Sequence, residues 1–260
     1  MKTIPRRQLV RRSVIIASFI LFPVTLFYFS PALVIMAAAA GVVSGSALVF
    51  LLQFLSALVL GRAFCGWVCP AAGEQEACFI AQAEPVNGRK CDWIKYLIWV
   101  PWVGIIVYLL VRNGVRSVDF FFMMDSPISL SSPGQYPVYL VVTGLIFVLS
   151  LSVGRRAFCH TACWMAPFMI LGTKAQHLLN VPALHLRPSP DKCTQCSSCT
   201  SGCPMSLDVS AMVGRGDMRH PECILCGHCV DSCKQQAIAY AFGFIGKPEL
   251  KNTAAAGKQV

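Results

Sequence analysis

The chain has 260 residues, 55% of them hydrophobic and only 13% charged, with a formal net charge of +10. Soluble domains carry about 25% charged residues, so the composition excludes an ordinary soluble globular protein and predicts an integral membrane protein with a small soluble appendage. In that setting the basic excess reads as topology and contact with anionic lipid, and no motif points to nucleic acid.

In chain order, residues 1–12 carry Lys2, Arg6, Arg7, Arg11 and Arg12, and an apolar run follows over 13–30. A basic start, an apolar core and small residues at 37–40 also fit a signal peptide, and the paired arginines hint at the twin-arginine kind. The apolar run continues and further spans follow, so an uncleaved first anchor is expected. A span takes about 20 apolar residues. Candidates lie at 13–30, 43–60, 95–111 and 137–154. The apolar stretch Pro31–Gly41 either lies at the outer interface or lengthens the second span.

Positive charge should collect in cytoplasmic loops. Arg62, Arg89, Lys90 and Lys95 lie between the second and third candidates, and Arg155 and Arg156 follow the fourth. The loop between the third and fourth has only Arg112 and Arg116, against Asp119 and Asp125. Both termini and all 14 cysteines then face the cytoplasm. A reducing compartment also suits thiolates that act as ligands rather than disulfide partners.

Two segments repeat. Gly61-Arg62-Ala63-Phe64-Cys65-Gly66-Trp67-Val68-Cys69-Pro70 follows the second candidate span. Gly154-Arg155-Arg156-Ala157-Phe158-Cys159-His160-Thr161-Ala162-Cys163-Trp164 follows the fourth. Both read glycine, arginine, Ala-Phe and C-x3-C, so the membrane part is two repeated helical hairpins. Cysteines four apart share one face of a helix. The repeat would bring both pairs to one depth, with Arg62, Arg155 and Arg156 lowering thiol pKa values and offsetting thiolate charge. Three readings stay open for Cys65, Cys69, Cys159 and Cys163: a further iron–sulfur cluster, a redox dithiol or another metal site such as copper, and structural thiols at helix ends.

Val181–Asp191 contains Pro182, Pro188 and Pro190 and reads as a linker. Beyond it, Cys193, Cys196, Cys199 and Cys203-Pro204 precede Cys223, Cys226, Cys229 and Cys233. This is C-x2-C-x2-C-x3-C twice, the spacing that holds two [4Fe–4S] clusters, with the fourth cysteine of each run serving the other cluster. Cys193, Cys196, Cys199 and Cys233 are therefore expected on one cluster, and Cys223, Cys226, Cys229 and Cys203 on the other. Lys234 departs from the proline that usually follows the fourth cysteine. Zinc is the competing reading, but zinc sites separate their C-x2-C pairs by a longer insert. His220 and His228 are expected at the surface or as donors beside the clusters. The tail, 247–260, is polar and alanine-rich and is expected to fray.

On Phe64-Cys65-Gly66-Trp67-Val68-Cys69-Pro70, on Cys159 and Cys163, and on the double cluster motif, the chain resembles the membrane iron–sulfur proteins of the NapH type, related to the C-terminal part of NosR and to CcoG-like polyferredoxins. The resemblance runs from the first span to about Phe244. It implies four spans, cytoplasmic clusters and passage of electrons from the quinol pool to a respiratory or reductase system, as a quinol dehydrogenase component. The family motif reads C-x3-C-P; the second copy departs from it, with Trp164 in the proline position and Pro167 three residues later. NosR-type relatives carry an additional flavin domain, and no segment here is long enough to form one outside.

Smaller features have plainer readings. Cys78 and Cys91 lack motif spacing and are expected in packing. Glu74 and Glu76 could take quinol protons, but the solvated face of an interfacial helix is the favoured reading. Lys174 and His177 lie on an expected interfacial helix over 166–180. His160, inside the second motif, could donate to a cluster sulfur or serve quinol deprotonation. Trp67 and Trp164 would shield a redox site. The apolar outer loop 120–124 would dip into the membrane or cover a partner subunit or quinone site.

The fold expected is thus membrane α-helical, with four transmembrane helices as two repeated hairpins over 1–180, a C-terminal α+β two-cluster ferredoxin domain over 181–246 and a flexible tail over 247–260. The expected function is iron–sulfur electron transfer between the quinol/quinone pool and a partner redox protein, in a multi-pass protein of a bacterial-type inner membrane. The alternative is a maturation factor that uses clusters and dithiols to reduce a metal or partner.

Overall fold

A computed structural model describes residues 4–124 and 126–244. The expected tail, the last two residues of the expected ferredoxin domain and Asp125 lie outside the described residues. The first helix, α1 (Arg6–Ile20), is followed by a 58° bend into Phe22–Phe29. Pro23 stands at the start of that next turn and removes a backbone donor there. Helix α2 (Pro31–Ala39) is capped by Ser30, whose hydroxyl accepts from the Leu33 N–H. Strand β1 (Val42–Ser44) leads into α3 (Gly45–Leu60), which Ser44 caps in the same way. Two short helices follow, α4 (Ala63–Trp67) and α5 (Pro70–Ala77). Then come α6 (Ile94–Asn113), β2 (Ser117–Asp119), α7 (Tyr136–Ser152), the short α8 (Ala157–Thr161) and α9 (Ala166–Leu179). Strands β1 and β2 pair in parallel, with Val42 opposite Ser117.

Two segments, α6 and Pro133–Ser152, are long and apolar enough to cross a membrane, and α1 with Phe22–Phe29 makes a third if the bent pair is one span. Helix α3 is apolar but has only 16 residues. The four apolar stretches of the sequence are therefore two full-length helices, a broken pair and a shorter helix.

The repeat is real in three dimensions. Its halves are α3–α4–α5 and α7–α8–α9, and each long helix packs on the short helix of the other half: α3 on α9, and α7 on α5. The α3–α9 approach is close enough that a Cβ at Gly172 would meet Ala57 and the Phe54 carbonyl. Helix α1 lies along α5. Ile15, Ile146, Phe158 and Ile170 form the buried centre of this part.

The segment expected to be a linker is a strand. β3 (Ala183–Pro188) pairs antiparallel with β4 (Ile238–Gly243), Ala183 opposite Gly243. Pro182 and Pro188 bracket the strand rather than break it, and Ala183 and Leu186 face inward. Short helices at Ser198–Ser201, Val209–Gly214 and His228–Ser232 complete the domain. Its core runs without a break into the repeat: Met205, Met212 and Ile224 belong to one apolar cluster with Ala57, Cys65, Cys159 and Met169.

Candidate functional site

None of the 14 cysteines, all of them among the described residues, is paired in a disulfide. Cys193, Cys196, Cys199 and Cys233 line one cavity of about 300 Å³, together with Thr194, Ser198 and Lys234. Cys203, Cys223, Cys226 and Cys229 line a second, whose other walls are apolar and include Leu186, Met205, Met212 and Ile224. Each group contains three cysteines of one run and the fourth of the other. The first group is the more open to solvent, with Cys196 exposed and none of its cysteines buried; in the second, the enclosed group, Cys203, Cys226 and Cys229 are buried. Among the described residues, no three His, Cys, Asp or Glu side chains converge tightly enough to hold a single metal ion.

The two runs share a backbone device. Gln195 and Ser197 have positive φ in the first run, and Leu225 and Gly227 have it at the equivalent places in the second. Ser206 and Gln236 repeat it three residues after the fourth cysteines. Successive turns of this kind point backbone N–H groups into a concavity that suits an anion. The N–H groups of Ser198 and His228 accordingly reach the Cys196 and Cys226 sulfurs, and those of Met205 and Leu207 reach Cys203. Left-handed backbone is costly for residues other than glycine. Nothing in the identities of Gln195 or Leu225 announces it. The donor sets and inward N–H groups fit iron–sulfur clusters, whose potentials respond to hydrogen bonds at sulfur.

The membrane repeat builds a third group. Cys69 and Cys163 each donate a backbone N–H to the phenylalanine carbonyl five residues earlier, Phe64 and Phe158, at 3.0 Å. Cys65, Cys69, Cys159 and Cys163 are all buried, and their sulfurs lie within electrostatic reach of one another. The missing proline of the second motif has a local explanation. α5 starts directly after Cys69 with Pro70, whereas two residues separate Cys163 from the start of α9, whose Pro167 takes the equivalent place in the first turn. Gln75, fully buried, donates to the Cys159 sulfur at 3.3 Å and to the Ala71 carbonyl.

Arg62 and Arg156 precede α4 and α8, and both are buried. Arg62 has Glu222, Cys65 and Cys159 as electrostatic neighbours; Arg156 has Glu76, Cys159 and Cys69. Arg155 does something else: it donates to the Ser201 carbonyl at 2.8 Å and so holds the ferredoxin domain.

The enclosed cysteine group sits directly on the repeat. The Trp67 indole donates to the Leu225 carbonyl at 3.0 Å, and Gln8 donates to the Cys226 carbonyl at 3.0 Å and to Asp231 at 2.7 Å. Glu222, next to Cys223, takes Arg62 at 2.5 Å and Lys95 at 2.7 Å. Burial pushes the Glu222 carboxyl up, but Arg62 and Lys95 outweigh it and hold it at about 2. Lys95 also reaches Asp92, whose carboxylate meets His160 Nδ1 at 2.6 Å. Spacing gives no sign of Gln8, Asp92, Lys95 or Glu222, because each acts on a distant part of the chain.

Glu74 and Glu76 are not a solvated face. Helix α5 is covered by α1 and α7, so Glu76 pairs with Arg11 at 2.7 Å and with Arg156, and Glu74 is buried with Oε2 unpartnered. Burial pushes the Glu74 carboxyl up to about 7. Cys78 is buried and Cys91 half-buried, and neither lines the two ferredoxin cavities. His228 lines the enclosed cavity, while His220 accepts the Glu222 N–H at 3.2 Å. Trp164 donates to the Phe29 carbonyl at 2.8 Å. Lys174 is exposed and His177 half-buried on α9, which buries seven of its residues. Phe120 and Phe121 are exposed, with Phe120 against Tyr28.

Comparison with known proteins fits this geometry. Residues 192–238 match the 4Fe-4S dicluster domain family. Residues 42–76 and 136–181, the two halves of the repeat, match a family described as a 4Fe-4S binding domain. An uncharacterized protein of Methanocaldococcus jannaschii is 26% identical over 72% of this chain and 75% of its own length. The putative electron transport protein YccM of Escherichia coli is 24% identical over 74% of this chain. The ferredoxin-type protein NapH of Haemophilus influenzae is 25% identical over 72% of it. The matched region is 54% of YccM and 64% of NapH. No solved structure matches. With both iron–sulfur families matched on the segments that carry the cysteines, and ferredoxin-type relatives along most of its length, the chain is similar to the NapH-type polyferredoxins.

Proposed function

We propose that this is a membrane-bound iron–sulfur protein that carries electrons between the quinone pool and a partner redox protein of a respiratory or reductase system. Cys193, Cys196, Cys199 and Cys233 hold one [4Fe–4S] cluster, and Cys203, Cys223, Cys226 and Cys229 hold the other. Residues 1–180 form the membrane domain and 181–246 the ferredoxin domain, on the cytoplasmic side of a bacterial-type inner membrane. The observation that carries the reading is the difference between the groups: the buried cysteine group rests on the membrane repeat, and the other presents Cys196 at the surface. That is the arrangement for a path with one end in the membrane and the other at a protein surface.

The membrane end has a small apolar cavity. Phe22, Leu26, Val142, Ile146, Phe158 and Trp164 line an apolar space between the bend after α1, α7 and the second motif. Its wall also includes Pro70, so it reaches residues adjoining Cys69, Cys159 and Cys163. At about 40 Å³ it is too small to enclose a quinol ring, and it marks an apolar edge for the approach of a lipid-soluble quinol rather than a preformed site. Oxidising a quinol to the quinone releases two electrons and two protons, and iron–sulfur clusters supply one-electron acceptors when bound. Glu74, one turn along α5 from the cavity-lining Ala71, is a buried acid able to receive a proton.

The test is anaerobic titration of the purified, cluster-loaded protein with a reduced quinol analogue, following cluster absorbance and low-temperature EPR. Reduction of both ferredoxin clusters supports the proposal. Clusters that dithionite reduces and no quinol does would overturn the quinol end of the path.

A further inference from the structure

Four buried cations around the membrane cysteines meet too few carboxylates. Arg11 and Arg156 share Glu76. Arg62 and Lys95 share Glu222, and Lys95 also reaches Asp92. Asp92 is itself engaged by His160, so the three carboxylates are fully committed. The Nε atoms of Arg62 and Arg156 are buried with no hydrogen-bond partner, in side chains at most 1% exposed. An unpaired buried donor on a charged group is expensive. Besides their carboxylates and one backbone carbonyl each, Arg62 has Cys65 and Cys159 as charged neighbours and Arg156 has Cys69 and Cys159. The charge that is missing is negative, and the place it is missing from is the space between the thiols.

We propose that Cys65, Cys69, Cys159 and Cys163 together hold a third, anionic iron–sulfur cluster, two ligands from each half of the repeat, with Arg62 and Arg156 as its buried counter-charges. Four thiolates complete the protein ligation of either a [2Fe–2S] or a [4Fe–4S] cluster. Both types are net negative with four thiolate ligands, which satisfies the two guanidinium groups. Gln75 adds a hydrogen bond at the Cys159 sulfur. A dithiol that exchanges with partners needs access, and these four cysteines are each at most 6% exposed. The pseudo-symmetric packing of α3 on α9 and α7 on α5 is what brings the pairs together. The role as the membrane end of the electron path rests on the function proposed above; the cluster itself does not.

The experiment is iron and sulfide content of the full chain, purified anaerobically in mild detergent, with EPR of the reduced protein. About ten or twelve irons per chain are expected, against about eight for the ferredoxin clusters alone. Cys65→Ser and Cys163→Ser should each lose the additional two or four irons and one EPR signal, while both ferredoxin signals remain; Cys78→Ser should lose nothing. Arg156→Gln should lower the potential of that one signal, because a buried positive charge favours the reduced, more negative form. About eight irons in the parent, with the four thiols free to alkylation on unfolding, would overturn the proposal, as would stoichiometric copper or zinc in their place. A third cluster that no quinol reduces would sink the quinol reading and leave this one standing; eight irons with rapid quinol reduction would do the reverse.

Discussion

Gly66 lies against Ile224 so closely that a Cβ at Gly66 would overlap the Ile224 carbonyl oxygen. This glycine sits between the two cysteines of the first membrane motif, and the carbonyl belongs to the loop between Cys223 and Cys226. The obstacle is backbone, so no side chain can swing aside. Gly66→Ala is expected to push the ferredoxin domain off the repeat at a cost of about 1–3 kcal/mol. Hydrogen exchange over residues 221–227 should rise and electron passage from the membrane should slow, with iron content unchanged. Unaltered exchange there would show that the two parts are not held at this point.

Glu222 serves two buried cations at once. Glu222→Gln keeps the shape and removes the charge, leaving Arg62 and Lys95 without their common partner. Breaking a buried pair in this way costs about 3–5 kcal/mol. The unfolding midpoint of the cluster-loaded protein in detergent should fall accordingly, whereas the exposed pair Arg219–Asp217 should tolerate Asp217→Asn with little change.

Glu74 gives the fold a pH dependence of definite sign. Its carboxyl is raised from 4.5 to about 7 by burial, so the folded chain keeps a proton that the unfolded chain releases. Stability contributed by this group is therefore full below about pH 4.5 and lost as pH rises through about 7, a change of roughly 3 kcal/mol. Glu74→Gln should abolish that part of the slope and make the protein more stable than the parent at pH 8. Denaturant midpoints at pH 5 and pH 8 decide it; parallel shifts in both proteins would remove Glu74 as the cause.

The open and enclosed cysteine groups should differ in lability. A chelator added with mild oxidant is expected to release about four irons quickly, from the group of Cys193, Cys196, Cys199 and Cys233, and the rest slowly. Cys233→Ser should abolish the fast phase and Cys203→Ser the slow one belonging to the enclosed group. The reverse assignment would show that each fourth cysteine serves its own run.

Much of this protein is legible in its spacing. Cysteines at intervals of three, three and four announce their groups, since the structure lines one cavity with each expected set, and the C-x3-C copies declare a repeat because both halves fold alike. Two of the four hydrophobic stretches mark full-length apolar helices to within a few residues. Pattern misleads where packing decides. Glu74 and Glu76 look solvated on a short polar helix, and become buried because α1 and α7 cover it. Val181–Asp191 looks like a linker, and becomes a strand because β4, about fifty residues on, supplies its hydrogen bonds.

The sequence by itself determined that the soluble part carries two equivalent cysteine runs and that the apolar part carries two copies of one C-x3-C motif, since both are matters of local interval. Only the tertiary structure decided which cysteine group is enclosed, where the ferredoxin domain rests, and that Arg62 answers to Glu222, 160 residues away. The physical reason is that a buried charge needs a partner in space, not in sequence. Partners brought together by folding leave no periodicity behind, so they appear only once the backbone has been closed around them.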